Sequence, residues 1–263
     1  MSILKRNAVR VVGDTGKPLV LVHGFGGDQT IWSSLIPAFE NEHRVVLLDL
    51  TGAGSSDLSA YDYAKYATLE GHATDVTEVI EELGLTDTIL IGHSVSAMIV
   101  ALAANRIPHK VDRIVMIGPS PRYIDDGDYV GGFSKEDIDD LVVAMDENYY
   151  GWSSQMAPAI MNSPDAPQHE ALLTKSFQAT DPDIARHFAE LTFKSDHRED
   201  VRAIKHPALI LQCSDDVIAP DVVGDWMAAN TQNGVFVKLK ASGHCPHVSA
   251  PQETIDAILP FLK

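Results

Sequence analysis

Buried strands alternate with helices along the first half of the chain. Short apolar runs, rich in β-branched residues and typical of buried parallel strands, are followed by segments with helical spacing. Strands are predicted over 9–12, 18–22, 44–48, 88–91 and 113–117, and helices over 30–39, 69–83 and from 95 onwards. In the helix over 69–83, Val76 and Ile80 lie on an apolar face and Asp75 on the opposite, polar face. This alternation predicts a doubly wound, mostly parallel α/β sheet.

The pattern changes after Pro119, because no strand is predicted until about residue 207. Helical segments are predicted over 135–150, 153–161, 168–179 and 182–193, separated by proline, aspartate and serine. Strands then return over 208–212 and 235–239, with helices over 221–229 and 252–262. A long helical insert between two strands of one sheet is typical of a lid over the carboxyl edge of that sheet. We therefore predict a core formed by residues 1–119 and 207–263, and a helical lid formed by residues 120–206.

One stretch combines a strand, a sharp turn and a helix around a single serine. Residues 88–91 form a buried strand, and the segment after Val95 is rich in Ala, Met and Leu. The sequence Gly-His-Ser-Val-Ser lies between them and places Ser94 at the corner, as in a nucleophile elbow. The usual motif is Gly-x-Ser-x-Gly, and here Ser96 takes the last position, which must be small because the helix passes close to its strand. The elbow motif is therefore weakened but still present.

A serine hydroxyl becomes a useful nucleophile only when a base takes its proton and a carboxylate orients that base. In folds of this kind the three residues follow the chain order Ser, Asp, His. Asp215 and Asp216 follow the strand over 208–212, and His244 and His247 follow the strand over 235–239. Because both strand ends face the same crevice as Ser94, an acid and a histidine from these loops complete a predicted catalytic triad.

The spacing around the candidates favours one member of each pair. Asp216 is preferred to Asp215 because the run from Asp216 to Pro220 matches the usual acid loop of such hydrolases. His244 is preferred to His247 because Gly243 frees the backbone to turn the side chain inward. The predicted triad is Ser94, Asp216 and His244.

Two backbone N–H groups are predicted to form the oxyanion hole. The N–H of Val95 follows the nucleophile, and the glycine-rich loop after the strand over 18–22 offers the N–H of Phe25. A serine at the elbow also argues against dehalogenases and epoxide hydrolases of this fold, which use an aspartate there.

Composition narrows the class of protein further. The formal net charge of -17 argues against nucleic acid and anionic membrane surfaces as partners. The first residues lack the apolar run of a signal peptide, no segment resembles a membrane span, and the two cysteines are expected to be reduced. We expect a soluble, cytoplasmic protein that needs no metal and no cofactor.

Three other interpretations of these motifs are weaker. Gly52-Ala-Gly54 resembles part of a dinucleotide fingerprint, but Asp57 occupies the third glycine position and no helix begins there, so a structural turn is favoured. His244, Cys245, His247 and Cys213 could be considered a metal site, but neighbouring ligands at 244 and 245 are geometrically awkward. His93 is expected to pack under the elbow, because its side chain should point away from Ser94.

Several longer motifs indicate a particular family. They are His-Gly-Phe-Gly-Gly-Asp-Gln (23–29), Gly-His-Ser-Val-Ser-Ala-Met-Ile (92–99), Ser-Pro-Arg-Tyr (120–123), Gly-Gly-Phe (131–133), Ser-Asp-His-Arg-Glu-Asp (195–200) and Gly-His-Cys-Pro-His (243–247). With these motifs nearly the whole chain resembles α/β-hydrolases of the RsbQ type, the bacterial sigma-B energy-stress regulator, and is similar to the plant karrikin and strigolactone receptors.

The resemblance implies an α/β-hydrolase fold with a four-helix, V-shaped lid inserted after the sixth strand, the same triad, and a mostly apolar pocket. The pocket positions that it implies are Phe25, Tyr123, Phe133, Leu141, Trp152, Met156, Phe177, Phe193 and Ile218. Helices on a sheet need an apolar face in any case, so each lid aromatic could equally belong to the core. The resemblance further implies slow hydrolysis of a small uncharged ester or lactone, coupled to signalling through a protein partner, a PAS-domain phosphatase in an RsbQ-like protein. We expect a monomer.

Two functions of different classes follow from the sequence. The first is a serine hydrolase acting on a small apolar ester or lactone. The second is a ligand receptor in which turnover is slow or incidental and the output is contact with another protein. A cofactor-free haloperoxidase or C–C bond hydrolase fits the triad but not the family motifs.

Overall fold

Seven strands form a single sheet in the computed structural model, which describes residues 1–263. The strands are β1 (Arg10–Val12), β2 (Lys17–Val22), β3 (His43–Leu48), β4 (Thr88–His93), β5 (Val111–Ile117), β6 (Ala208–Ser214) and β7 (Gly234–Ser242). The helices are α1 (Ile3–Arg6), α2 (Ile36–Phe39), α3 (Leu69–Glu82), α4 (Val95–Arg106), α5 (Lys135–Met161), α6 (Pro167–Ala179), α7 (Pro182–Phe193), α8 (Arg198–Arg202), α9 (Asp221–Asn230), α10 (Pro246–Ser249) and α11 (Pro251–Leu262). Short 3-10 turns cover Gln29–Trp32, Leu58–Ala60 and Pro108–Lys110.

The strand order is β1-β3-β2-β4-β5-β6-β7, and only β1 runs antiparallel to its neighbour. The elbow strand β4 therefore lies in the middle of the sheet, between β2 and β5. The mostly parallel α/β sheet that the sequence predicts is confirmed. No helix is both long enough and apolar enough to cross a membrane.

Successive residues of each central strand face opposite sides of the sheet and enter two separate apolar cores. Leu19 and Ile91 pack on one face, with the 3-10 turn at Gln29–Trp32 and helices α5, α6 and α11. Val20 and Leu90 pack on the other face, with helices α3, α4 and α9. Both faces of the sheet are covered, which explains why the strands are continuous apolar runs.

Helices α5, α6 and α7 lie between β5 and β6 in the chain, where the sequence predicts a lid. Helix α5 is kinked at Asn148, whose backbone is not helical (φ −157°, ψ 76°) and whose Oδ1 accepts the Gly151 N–H at 2.9 Å. This kink divides α5 into two arms, near the break predicted between residues 150 and 153. The insert follows the fifth strand rather than the sixth, because only five strands, β1 to β5, precede it in the chain. The limits of the predicted core and lid stay a prediction.

Two local predictions are wrong. The helix predicted over 30–39 is a 3-10 turn followed by the four-residue helix α2, in which Pro37 near the start has no N–H to donate to the preceding turn. Asp75 is fully buried instead of exposed, because its carboxylate accepts hydrogen bonds from Arg6 (2.6 Å) and Lys65 (2.6 Å). A helical wheel does not show partners that come from outside the helix.

Candidate active site

The turn between β4 and α4 holds Ser94 in a strained backbone conformation. Its φ of 56° and ψ of −127° are unusual for a residue with a side chain, and strain of this kind persists only where surrounding contacts enforce it. The Ser94 N–H donates to the carbonyl oxygen of Ile117 at the end of β5 (2.8 Å). The elbow is therefore held from the neighbouring strand as well as by its own helix.

Close packing between β4 and α4 explains the residues on either side of Ser94. A Cβ atom at Gly92 would lie 2.1 Å from the carbonyl oxygen of Ser96, so only glycine fits at position 92. Ser96 is fully buried, and its hydroxyl donates to the carbonyl oxygen of His23 at 2.5 Å. The unusual serine of the elbow motif thus connects the elbow to the loop after β2, which a glycine at this position could not do.

Ser94, His244 and Asp216 form a continuous hydrogen-bonded chain. The His244 Nε2 lies 2.7 Å from the Ser94 Oγ, and the His244 Nδ1 lies 2.7 Å from the Asp216 Oδ2. The histidine side chain is 4% exposed and the aspartate side chain 0%, so bulk water does not compete for these bonds. This arrangement allows the imidazole to accept the serine proton while the carboxylate holds the other ring nitrogen.

The carboxylate of Asp216 is positioned by its own loop. Its Oδ1 accepts the N–H groups of Ile218 (2.9 Å) and Ala219 (3.0 Å), which leaves Oδ2 for the histidine. The neighbouring Asp215 is exposed and has a positive φ of 48°. The turn therefore directs one of the two adjacent carboxylates inward and the other to solvent.

His93 packs beside His244 and contacts its backbone. Its Nε2 lies 2.9 Å from the carbonyl oxygen of His244, and the two imidazole rings are 5.0 Å apart. Burial and the neighbouring histidines hold the pKa of His93 well below its usual value, so the ring stays neutral. It lies under the elbow and makes no contact that would let it act as the base.

The predicted oxyanion donors lie beside the serine. Gly24 approaches so closely that a Cβ atom there would lie 3.0 Å from the Ser94 Cβ, which places the Phe25 backbone next to the elbow. The Phe25 N–H has no acceptor within the protein. Val95 begins α4, where no earlier turn of helix offers a carbonyl for its N–H. Both N–H groups thus remain available to a ligand.

A narrow, partly enclosed cavity opens onto Ser94 and His244. Its other lining residues are Gly24, Phe25, Gly27, Ile31, His93, Ile160, Met161, Leu172, Leu173, Phe177, Phe193, Ile218, Cys245, His247 and Val248. None of the lining residues is Lys, Arg, Asp or Glu, so the cavity suits a neutral, mostly apolar ligand.

Four of the predicted pocket residues, Phe25, Phe177, Phe193 and Ile218, line this cavity. Tyr123, Phe133 and Trp152 do not line it, although each contacts an aromatic residue that does. Trp152 contacts Phe25 and Phe177, and Tyr123 and Phe133 contact Phe193. Leu141 and Met156 do not line it either and pack against the same apolar core.

Burial of Tyr123 raises the pKa of its phenol above the ordinary value; the nearby Ser94 hydroxyl acts against this shift, and the charge of Asp216 adds to it. The phenol therefore stays protonated.

Sequence reasoning missed one wall of the cavity. Ile31 comes from the 3-10 turn after β2, and His247 and Val248 come from α10, just after His244. Leu172 and Leu173 come from the middle of α6. The available signal was the continuation of the Gly-His-Cys-Pro-His motif past His244, since residues just after a catalytic loop lie close to the same crevice.

A parallel sheet with a serine elbow at the end of its central strand, and with a histidine and an aspartate in line behind that serine, defines the class of α/β hydrolases. A sequence model of the alpha/beta hydrolase family matches residues 19–257, and the chain belongs to this family.

Two plant relatives and one solved structure are similar over nearly the full length. The chain is 36% identical to a karrikin insensitive 2 receptor of Petunia hybrida, covering 95% of this chain and 93% of the relative. It is 35% identical to a strigolactone esterase of Arabidopsis thaliana, covering 96% and 94%. The structure of a hydrolase from Oleispira antarctica superposes with a TM-score of 0.96 at 37% identity, covering 99% of this chain and 96% of that one. The predicted resemblance to the plant receptors is confirmed.

Proposed function

We propose that the protein is a serine hydrolase that cleaves a small, neutral ester or lactone. The observation that carries this proposal is the unbroken chain from Ser94 through His244 to Asp216, with distances of 2.7 Å at both bonds, at the end of an apolar cavity. Similarity to an esterase of Arabidopsis thaliana supports ester hydrolysis as the reaction class.

In the proposed reaction the Ser94 Oγ attacks the carbonyl carbon of the ester while His244 Nε2 takes the hydroxyl proton. The N–H groups of Phe25 and Val95 stabilise the negative charge that develops on the carbonyl oxygen. His244 then returns the proton to the leaving alkoxide, the carbon–oxygen bond breaks, and an acyl-serine remains. Water, deprotonated by the same histidine, attacks the acyl carbon; the bond between that carbon and the Ser94 Oγ then breaks, His244 returns the proton to the Oγ, and the acid is released. Asp216 orients the imidazole and stabilises its positive charge.

A second candidate function is that of a ligand receptor. Similarity to a receptor of Petunia hybrida favours it, as does the enclosure of Ser94 beneath lid helices. In this function the same triad captures a ligand, turnover is slow, and the lid surface passes the signal to a protein partner. The resemblance to RsbQ suggests a PAS-domain phosphatase as that partner, for a monomeric cytoplasmic protein.

Pre-steady-state hydrolysis of p-nitrophenyl acetate and a small butenolide, by the wild type and by Ser94→Ala, tests both functions. Repeated turnover that is lost in Ser94→Ala is expected for the hydrolase. A stoichiometric, Ser94-dependent burst followed by very slow release favours the receptor. Hydrolysis of both compounds by Ser94→Ala at the wild-type rate contradicts the triad itself.

A further inference from the structure

His247 is a polar side chain in the wall of the active-site cavity that the proposed reaction does not use. It lies in the short helix α10, three residues after His244, and is fully buried. Neither its Nδ1 nor its Nε2 has a hydrogen-bond partner. Buried polar groups are almost always paired, so this one needs an explanation.

Packing explains the position of the His247 ring but not why its nitrogen atoms lack hydrogen-bond partners. Trp32 stacks on the imidazole with 4.6 Å between ring centroids, and His93 contacts it at 4.4 Å. These aromatic neighbours hold the ring on the side of the cavity formed by α10 and the 3-10 turn at Gln29–Trp32. Neither of them bonds to a ring nitrogen of His247, so the donor and the acceptor of this imidazole stay free.

His72 provides a comparison within the same protein. It is also fully buried, has two unpaired ring nitrogens, and is stacked between Tyr66 (4.6 Å) and Phe188 (4.8 Å). His72 does not line the active-site cavity, whereas His247 does. The two residues therefore share burial and aromatic contacts, and differ in that only His247 borders the active-site cavity.

The charge of the site limits the ligand group that His247 can bind. Burial and the nearby His244 lower the pKa of His247 to about 3, so its ring is neutral and offers one donor and one acceptor. No Lys, Arg, Asp or Glu lines the cavity, so a carboxylate or an ammonium group of a ligand would be buried without a counter-ion. A neutral oxygen matches both conditions.

We propose that His247 is a specificity-determining residue that hydrogen-bonds a second neutral oxygen of the substrate, such as a ketone, ether or hydroxyl oxygen, in addition to the ester carbonyl that Ser94 attacks. This inference rests on the proposed hydrolase function and narrows its substrates from apolar esters to esters and lactones with one further uncharged polar group.

Two esters of matched shape test the inference: p-nitrophenyl 4-oxopentanoate, which has a ketone, and p-nitrophenyl 4-methylpentanoate, in which a methyl group replaces that oxygen. The ratio of their kcat/KM values is compared between the wild type, His247→Phe, His247→Gln and the control His72→Phe. Comparing ratios cancels the different intrinsic reactivities of the esters. We expect the ratio to fall about tenfold in His247→Phe, as for the loss of one buried hydrogen bond, and to be largely retained in His247→Gln and His72→Phe.

A binding measurement separates this inference from the proposed function. In the Ser94→Ala background, titration calorimetry with the two intact esters should show that His247→Phe weakens binding of the oxo ester about tenfold and leaves that of the methyl ester unchanged. If this preference appears although the wild type hydrolyses neither ester, the inference stands and the hydrolase function fails. Equal ratios in all variants, or a parallel loss for both esters in His247→Phe, overturn the inference even if the wild type is an efficient esterase.

Discussion

The backbone N–H of His244 donates a hydrogen bond to the carbonyl oxygen of Ile160 in the last turn of α5 (2.8 Å). The loop that carries the proposed base is therefore attached to a lid helix. Next to this bond, Gly243 approaches so closely that a Cβ atom would lie 2.3 Å from the Met161 carbonyl oxygen. Asn162, in the left-handed conformation, donates from its side chain to the hydroxyl of Ser242 (2.6 Å). The position of the lid helix and the position of His244 are thus linked through these three contacts.

Replacing Asn162 should affect catalysis as well as stability. Asn162→Ala loses the bond to Ser242 and places alanine in a left-handed conformation, which costs about 1–2 kcal/mol. We expect the free energy of unfolding to fall by that amount and kcat for p-nitrophenyl acetate to fall several-fold, because His244 is held less firmly. Asn162→Gly, which adopts the same backbone without strain, should lose less stability. A loss of stability with unchanged kcat in Asn162→Ala would mean that the bond from Asn162 to Ser242 does not help to position the base.

The adjacent aspartates should behave differently when each is replaced by asparagine. Asp216→Asn keeps the size of the side chain but cannot hold His244 in the tautomer that accepts the serine proton, so we expect kcat to fall by about 10³–10⁴. Asp215→Asn, a change at an exposed position one residue away, should leave kcat unchanged. Steady-state ester hydrolysis by both variants checks this, and comparable losses in the two would argue against Asp216 as the acid.

Ser96 should contribute to catalysis without touching the substrate. Ser96→Ala removes the hydroxyl that binds the His23 carbonyl and leaves that buried oxygen unpaired, which costs about 1–3 kcal/mol of stability. Because the same loop carries Phe25, we expect kcat for p-nitrophenyl acetate to fall with little change in KM. Gly92→Ala should be more severe and prevent folding at 37 °C, since its Cβ meets backbone at 2.1 Å. Unchanged kcat in a stable Ser96→Ala protein would exclude a role in positioning the oxyanion loop.

Acid should destabilise the fold through its buried histidines. The pKa of His72 is lowered to about 4 by burial, and that of His247 to about 3, whereas both rings have a pKa near 6.5 in the unfolded chain. Below pH 6.5 the unfolded chain therefore binds more protons than the folded protein does. The free energy of unfolding falls as the pH is lowered, until the pH reaches the pKa of the histidine in the folded protein. The slope is about 1.4 kcal/mol per pH unit for each histidine.

Urea unfolding between pH 7.5 and 4.5 measures this dependence. His72→Phe should remove the contribution of one histidine from the slope. The same slope in His72→Phe and the wild type would show that His72 is not a source of the acid sensitivity.

The buried carboxylate of Asp75 should contribute far more to the stability of the fold than a surface carboxylate does. It pairs with Arg6 and Lys65 and also accepts the hydroxyls of Thr51 (2.7 Å) and Tyr66 (2.8 Å). Asp75→Ala removes this shared acceptor and leaves Arg6 paired with Glu78 alone, so we expect a loss of about 3–5 kcal/mol in the free energy of unfolding. Asp221→Ala, which breaks only an exposed pair with Lys238, should cost less than about 1 kcal/mol. Chemical denaturation compares the two, and equal losses would contradict the importance of burial.

The sequence by itself determined most of the order of strands and helices, the elbow around Ser94 and the candidates for the proposed triad. These features are local, because apolar periodicity, a small-residue turn and a polar residue just after a strand can each be recognised within a short window. The parallel sheet then follows, since strands that alternate with helices have few other ways to cover both faces.

Only the tertiary structure decided which side chains meet across the cavity. His247 and Ile31 line the cavity, whereas Trp152 and Tyr123 do not, and no local feature of the sequence distinguishes the residues that line it from those that do not. Asp75, predicted to lie on the surface, is likewise buried in the structure, because its cationic partners come from α1 and from the loop before α3. Such placements depend on how separate helices pack at angles that no local pattern specifies, and the ligand-binding surface is built from them.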